Sequence, residues 1–169
     1  SAYAKWKKQY DREEKNLINL FNNDISRITH IGSTAVKGLT AKPIIDILLE
    51  VNLQCDTDKL KENMCNNGYI CLKQDIPPHM MFIKGYTPQG FAKEVFHVHI
   101  RFAGTHPQLY FRDYLKEHKY ARKQYAKLKK ELAKKYKHHR GNYTYGKTKF
   151  IEEINLKAIQ LYKDRYMPK

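Results

Sequence analysis

The sequence is short of cysteine, of acidic residues and of long apolar runs, and each shortage closes off a class of protein. Its three cysteines, Cys55, Cys65 and Cys71, are odd in number, lack CxxC spacing and have no histidines at zinc-ligand intervals. A disulfide framework and a structural zinc site are therefore not expected, and ordinary reduced thiols fit best. No stretch approaches the roughly 18 apolar residues that span a bilayer, and the opening SAYAKWKKQYDREEK holds no apolar signal core. The expectation is a soluble, cytoplasmic chain with no membrane partner. At 169 residues and 41% hydrophobic content the chain can bury one sizeable core, so one domain is expected over residues 1–169.

Acid is the other scarcity: 17 Asp and Glu face 32 Lys and Arg, a net charge of +15. Such a field draws phosphates and favours nucleic acid or anionic nucleotides. A lysine-rich composition spread over solvated helix faces accounts for the same number, and the run KLKKELAKKYKHHR is most simply such a face. No low-complexity segment or internal repeat decides between the two.

Periodicity organises what is present. Trp6, Tyr10, Leu17, Leu20 and Phe21 recur near 3.6 residues and predict a helix over 3–23. Residues 25–31 read as a strand entering Gly32 and Ser33, where Ser33 and Thr34 are expected to cap a short helix closing at Gly38. Pro43 opens a second strand, IIDILLEV, near-continuously apolar and so expected to be covered on both faces, with Asp46 inside it. A helix over 56–67 and strands over 69–73, 80–86 and 91–102 follow, which makes a mixed sheet. Beyond it the chain reads as helical over about 105–166. Thr105 and Gln108 suggest a capping box around Pro107; Ala121, Tyr125, Leu128 and Leu132 mark a second helix. A third is expected from about Tyr145, burying Phe150, Ile154, Ala158 and Leu161 after the loop KHHRGN. The fold class is α/β (α+β): a sheet core over about 25–104 flanked by helices, with a C-terminal helical part.

A glycine and serine between a strand and a helix let backbone amides approach phosphate oxygens. Here twelve residues separate Ser33 from Asp46 on the following strand. On the strand FAKEVFHVHIRF, Phe96, Val98, Ile100 and Phe102 form one face and His97, His99 and Arg101 the other.

The Gly-Ser loop followed by an acidic strand resembles the nucleotidyltransferase superfamily, and HIGSTAV, GLTAKPIIDI, the H-x-H strand, FRDYL and YGKTKFI are similar to the GrpB family over nearly the whole chain. The resemblance implies a nucleotidyltransferase-like fold that binds a nucleotide or other phosphorylated small molecule, with metal-assisted nucleotidyl or phosphoryl transfer. It places phosphate at Gly32 and Ser33 and a metal on Asp46. The superfamily's second carboxylate falls at Leu48. Glu50 lies four residues on, roughly 13 Å along a strand and beyond one shared ion. His97 and His99 are the substitutes, giving with Asp46 a set suited to Zn, Mn or Fe more than Mg, and His can also serve as general base. Read alone, the same histidines are polar residues on a sheet face. Lys42, Arg101, Arg112 and Lys147 are candidate phosphate ligands, against the plainer reading of surface ion pairs, Arg112 with Asp113 among them. His30 is expected to hydrogen-bond backbone beside the loop, and Tyr145 to pack at its helix start. Two alternatives stand beside the transferase. One is a degenerate relative, favoured by Leu48, that binds nucleotide or RNA without turnover. The other is an accessory protein, which the resemblance implies because GrpB-like domains occur fused to a coenzyme A biosynthetic kinase.

Overall fold

In a computed structural model that describes residues 1–76 and 78–168, the chain divides into two compact units at Gly104 and Thr105, where strands give way to helices. The first unit holds a five-stranded mixed sheet in the order β1-β2-β5-β4-β3, with β1 Ile25–Ile31, β2 Ile44–Val51, β3 Ile70–Gln74, β4 Met80–Thr87 and β5 Gly90–Phe102. Only the β2·β5 pair is parallel; β1 on β2, and β4 on both β5 and β3, are antiparallel. The mixed α/β class read from the sequence is thus the observed one.

Alternation decides what each face buries. Ile45, Ile47, Leu49 and Val51 of β2 and Phe96, Val98 and Ile100 of β5 share one core with Met80 and Phe82 of β4. Two helices supply its other side: α1 (Ala2–Phe21) with Trp6, Tyr10, Leu17 and Phe21, and α2 (Thr57–Asn66) with Leu60 and Met64. The Asp56 carboxylate caps α2 by accepting from the Asp58 and Lys59 amides. The buried face of α1 also carries Glu13, whose carboxylate accepts from the Lys84 ammonium and the Tyr69 hydroxyl, both at 2.5 Å. A buried carboxylate requires such partners. Burial first, and then Glu13, push the Tyr69 phenol far above its usual range. Burial likewise raises the Cys55 thiol to about 11, which leaves it protonated and unreactive at neutral pH.

The second unit comprises residues 36–40 and 105–167. Its helices are α3 Pro107–Glu117, α4 Lys119–Lys135 and α5 Arg140–Tyr162. Val36, Leu39, Leu115, Ala121, Tyr125 and Ile154 form its core, with the Tyr125 ring between Phe111 and Phe150. Gly146 lets α5 approach α4, since a Cβ there would stand 2.5 Å from the Leu132 side chain.

Four local expectations are corrected. The segment after Gly32 is a single 3₁₀ turn, Ser33–Ala35, not a helix reaching Gly38. The cap of α3 is His106, not Thr105, because a residue before proline is held extended (φ −84°, ψ 136°) and Pro107 takes the first helical position. The box with Gln108 does not form, and Gln108 Oε1 is buried with no hydrogen-bond partner among the described residues. Finally, α5 starts at Arg140, five residues before Tyr145, and its inner face ends on Tyr162 while Leu161 is exposed; Tyr145, now in the second turn, is exposed too.

Candidate functional site

The sheet face opposite the α1–α2 core holds the chemistry. In the parallel pair Asp46 lies beside His97 and Leu48 beside His99, so all four side chains share that face. Asp46 Oδ1 is 3.6 Å from His97 Nδ1 and 3.6 Å from His99 Nε2. The three side chains are half-buried, between 16% and 29% exposed. One carboxylate thus stands between two imidazoles that still meet solvent.

Two further groups close around them. Gly32 has φ +77°, a left-handed conformation, and a Cβ on it would come within 2.7 Å of Asp46 Oδ2. Glycine is required there on both counts. The far nitrogen of His97, Nε2, meets the Tyr86 hydroxyl at 2.7 Å, and the two rings stack with centroids 5.8 Å apart. Tyr86 in turn packs edge-on against Phe91, which is exposed. Asp46, His97 and Tyr86 therefore form a line of carboxylate, imidazole and phenol.

Tyr86 has no counterpart in the sequence reading, and the reason lies in a bulge. Regular alternation from Ile83, opposite His97, would put Tyr86 on the far face with Lys84. The register shifts between Lys84 and Tyr86, where Gly85 has φ +101° and a Cβ would stand 2.1 Å from the Glu94 carbonyl oxygen. The bulge turns Tyr86 onto the histidine face. A glycine inside a strand is the one sequence signal that marks it.

The other candidate residues are distributed as follows. Ser33 is half-buried and opens the 3₁₀ turn; Lys42 is exposed ahead of β2. A one-turn helix offers little dipole for an anion, so the Gly-Ser segment contributes close approach and single donors. The Arg101 guanidinium donates to the Ile100 carbonyl at 2.7 Å, and burial, opposed by Asp75, lowers its pKa from the usual value. Arg112 and Lys147 belong to the helical unit. The first donates to Asp113 at 2.9 Å and the second lies over the Tyr143 ring. His30 is on the core face, stacked on Tyr10, with Nε2 3.0 Å from the Thr34 hydroxyl.

Leu48 is fully buried and supplies no ligand. Glu50 is fully buried too: the Arg27 guanidinium grips both its oxygens, at 2.5 and 3.0 Å, and the Gly104 amide donates to it. Its acceptors are spent on structure. Among the described residues no group of three or more His, Cys, Asp or Glu side chains is arranged to hold a metal ion. No helix among them is long and apolar enough to cross a membrane.

Comparison with known proteins places the chain in a family. The model for "GrpB protein" matches residues 1–157. The "Glutamate-rich protein GrpB" of Alkalihalophilus pseudofirmus is 35% identical over 154 residues, covering 88% of each chain. The "UPF0157 protein YqkA" of Bacillus subtilis is 36% identical over 166 residues, 95% of this chain but 47% of its own length, so the chain spans about half of that relative. The crystal structure of the conserved protein GrpB from Enterococcus faecalis superposes with a TM-score of 0.80 at 30% identity, covering 93% of this chain and 94% of that one. The chain belongs to the GrpB family.

Proposed function

We propose that this protein binds a phosphorylated ligand, of the nucleotide class, where Gly32, Ser33, Asp46, His97 and His99 meet, and that it does so without the paired-carboxylate metal chemistry of nucleotidyl transfer. The observation that carries the reading is Asp46 held 3.6 Å from both imidazoles, with Tyr86 on the far side of His97. An imidazole N–H on each histidine, on the side that faces Asp46, is a donor for a phosphate oxygen. The line of Asp46, His97 and Tyr86 is also suited to proton transfer: the phenol gives its proton to Nε2 while Asp46 steadies Nδ1–H. The likeness to nucleotidyltransferases points to a nucleotide. Leu48 and the engaged Glu50 argue against their two-carboxylate metal cradle.

A second reading rests on the same separations. Two ligand atoms about 2.1 Å from a tetrahedral ion lie about 3.4 Å apart, close to the two Asp46–His spacings, so Asp46, His97 and His99 would hold Zn²⁺ or Mn²⁺ after a small movement. Calorimetric titration with the four nucleoside triphosphates and pyrophosphate, in EDTA and again in Mn²⁺, separates the two. Binding that persists in EDTA and weakens at least about tenfold in His97→Ala/His99→Ala supports the first. Binding only with Mn²⁺ supports the second, and binding indifferent to the double substitution overturns both. Pyrophosphate release lost in Asp46→Asn would show turnover.

A further inference from the structure

The charge is not spread evenly. Residues 36–40 and 105–167 hold eighteen Lys and Arg against six Asp and Glu, a net of +12, whereas the rest of the chain holds fourteen against eleven, a net of +3. A compositional bias acting on the whole chain would load both units alike. Within the helical unit α4 is the focus: its 17 residues contain eight cations and one acid, Glu131.

Those cations are arranged as well as abundant. Lys119, Lys123, Lys127, Lys130 and Lys134 recur at intervals of four, four, three and four residues, so at 100° per residue they fall within an arc of about 80°. All five are exposed, and they lie opposite the buried Ala121, Tyr125 and Leu132. The row runs about 22 Å with a charge every 6 Å or so. Glu131 stands 4.0 Å from Lys127 with both side chains largely in water, too weak a pair to neutralise it. Lys129 is turned away, donating to the Thr40 carbonyl and lying over Tyr125. Exposed Lys137, His138, His139 and Arg140 continue the charge past the helix end.

One flank of the row is an open groove of about 440 Å³ whose lining includes Tyr120, Lys123, Lys127, Leu128, Phe150 and the acid Glu131. Tyr120 is 74% exposed, a ring left in water beside the lysines. Cations at backbone spacing beside an exposed aromatic ring are the two components of a single-strand site, where phosphates meet the lysines and a base stacks on the ring. An anionic membrane would need an apolar face next to the cations, and that of α4 is used in its own core.

We propose that the exposed face of α4 is a binding surface for a single-stranded polynucleotide, with Lys119, Lys123, Lys127, Lys130 and Lys134 on its phosphates and Tyr120 under a base. Every residue of this surface belongs to the helical unit, and none is a residue of the sheet site.

Fluorescence anisotropy with labelled 20-nucleotide RNA and DNA strands, titrated at several NaCl concentrations, tests it. The wild type should bind with log K falling about 3.5 units per decade of salt, the slope for five single-strand phosphate contacts. Lys123→Glu/Lys127→Glu/Lys130→Glu should weaken binding at least tenfold and flatten the slope by about 2, with the helical circular dichroism unchanged. Tyr120→Ala should lower single-strand affinity about fivefold or more and leave duplex affinity alone. The control Lys5→Glu/Lys8→Glu/Lys15→Glu makes the same charge change on exposed residues of α1 and should leave affinity within twofold. An equal loss in the control overturns the proposal, as does tighter binding to phosphatidylserine vesicles or to duplex than to single strands.

Discussion

Two carboxylates on one strand, four residues apart on the same face, have opposite fates. Glu50 is sealed, chelated by Arg27 and tied to the Gly104 amide; Asp46 is 29% exposed and faces two imidazoles that leave it without a short ion pair. Their environments differ because their partners do: β1 puts an arginine opposite Glu50 and Ile31 opposite Asp46. A carboxylate saturated with donors holds a fold together, while one held just beyond hydrogen-bond distance of its neighbours has capacity left for a ligand.

The difference is open to attack in order of expected effect. Glu50→Gln breaks a buried pair and leaves Arg27 part-buried without its counter-charge, so urea unfolding should show a loss of about 3 kcal/mol. A loss below about 1 would deny the pair its structural role. Gly32→Ala should cost about 1–2 kcal/mol for the left-handed backbone and displace the Asp46 carboxylate, abolishing ligand binding. In an Asp46→Ala background the contact with Oδ2 is gone, and a double-mutant cycle should return a coupling of at least about 0.5 kcal/mol.

Asp113, in the helical unit, resembles Glu50 more than Asp46. Burial raises its pKa, but hydrogen bonds from Arg112 and Tyr166 outweigh burial and leave it lowered. A depressed folded pKa stabilises above the unfolded value near 3.9 and is lost as pH falls through the folded value. Asp113→Asn should therefore cost about 1 kcal/mol at pH 7, with the gap to wild type closing in acid. A gap constant from pH 7 to pH 2 would assign the loss to packing. The smallest stability effect belongs to Asp46→Asn, within about 0.5 kcal/mol, coupled to loss of ligand affinity. A destabilisation matching Glu50→Gln would make Asp46 one more structural acid.

Much of this was legible in the residues. Alternation on FAKEVFHVHIRF separates the histidines from Phe96, Val98 and Ile100, and the mixed sheet follows from counting strands. What alternation does not reach is anything set by register or by tertiary partners. Glu13 reads as one charge among many on α1 until Lys84 arrives from β4 and Tyr69 from the residue just before β3. The role of Glu50 depends on Arg27, 23 residues away. Glycine and asparagine in KHHRGN speak for a loop and so place the start of α5 too late, whereas Tyr143 already bonds back to His139.

The bulge at Gly85 has a consequence of another kind. Substitutions change what a side chain is, but on a strand only the count of residues changes which way it looks. Removing three residues from β5 between Phe91 and Phe96, the excess that the register shift leaves on that strand, would restore simple alternation and send Tyr86 to the far side of the sheet, with every atom of Asp46, His97 and His99 left in the sequence. A deletion is thus the sharpest instrument for asking what the phenol does, because it takes the hydroxyl away from His97 without taking it out of the protein.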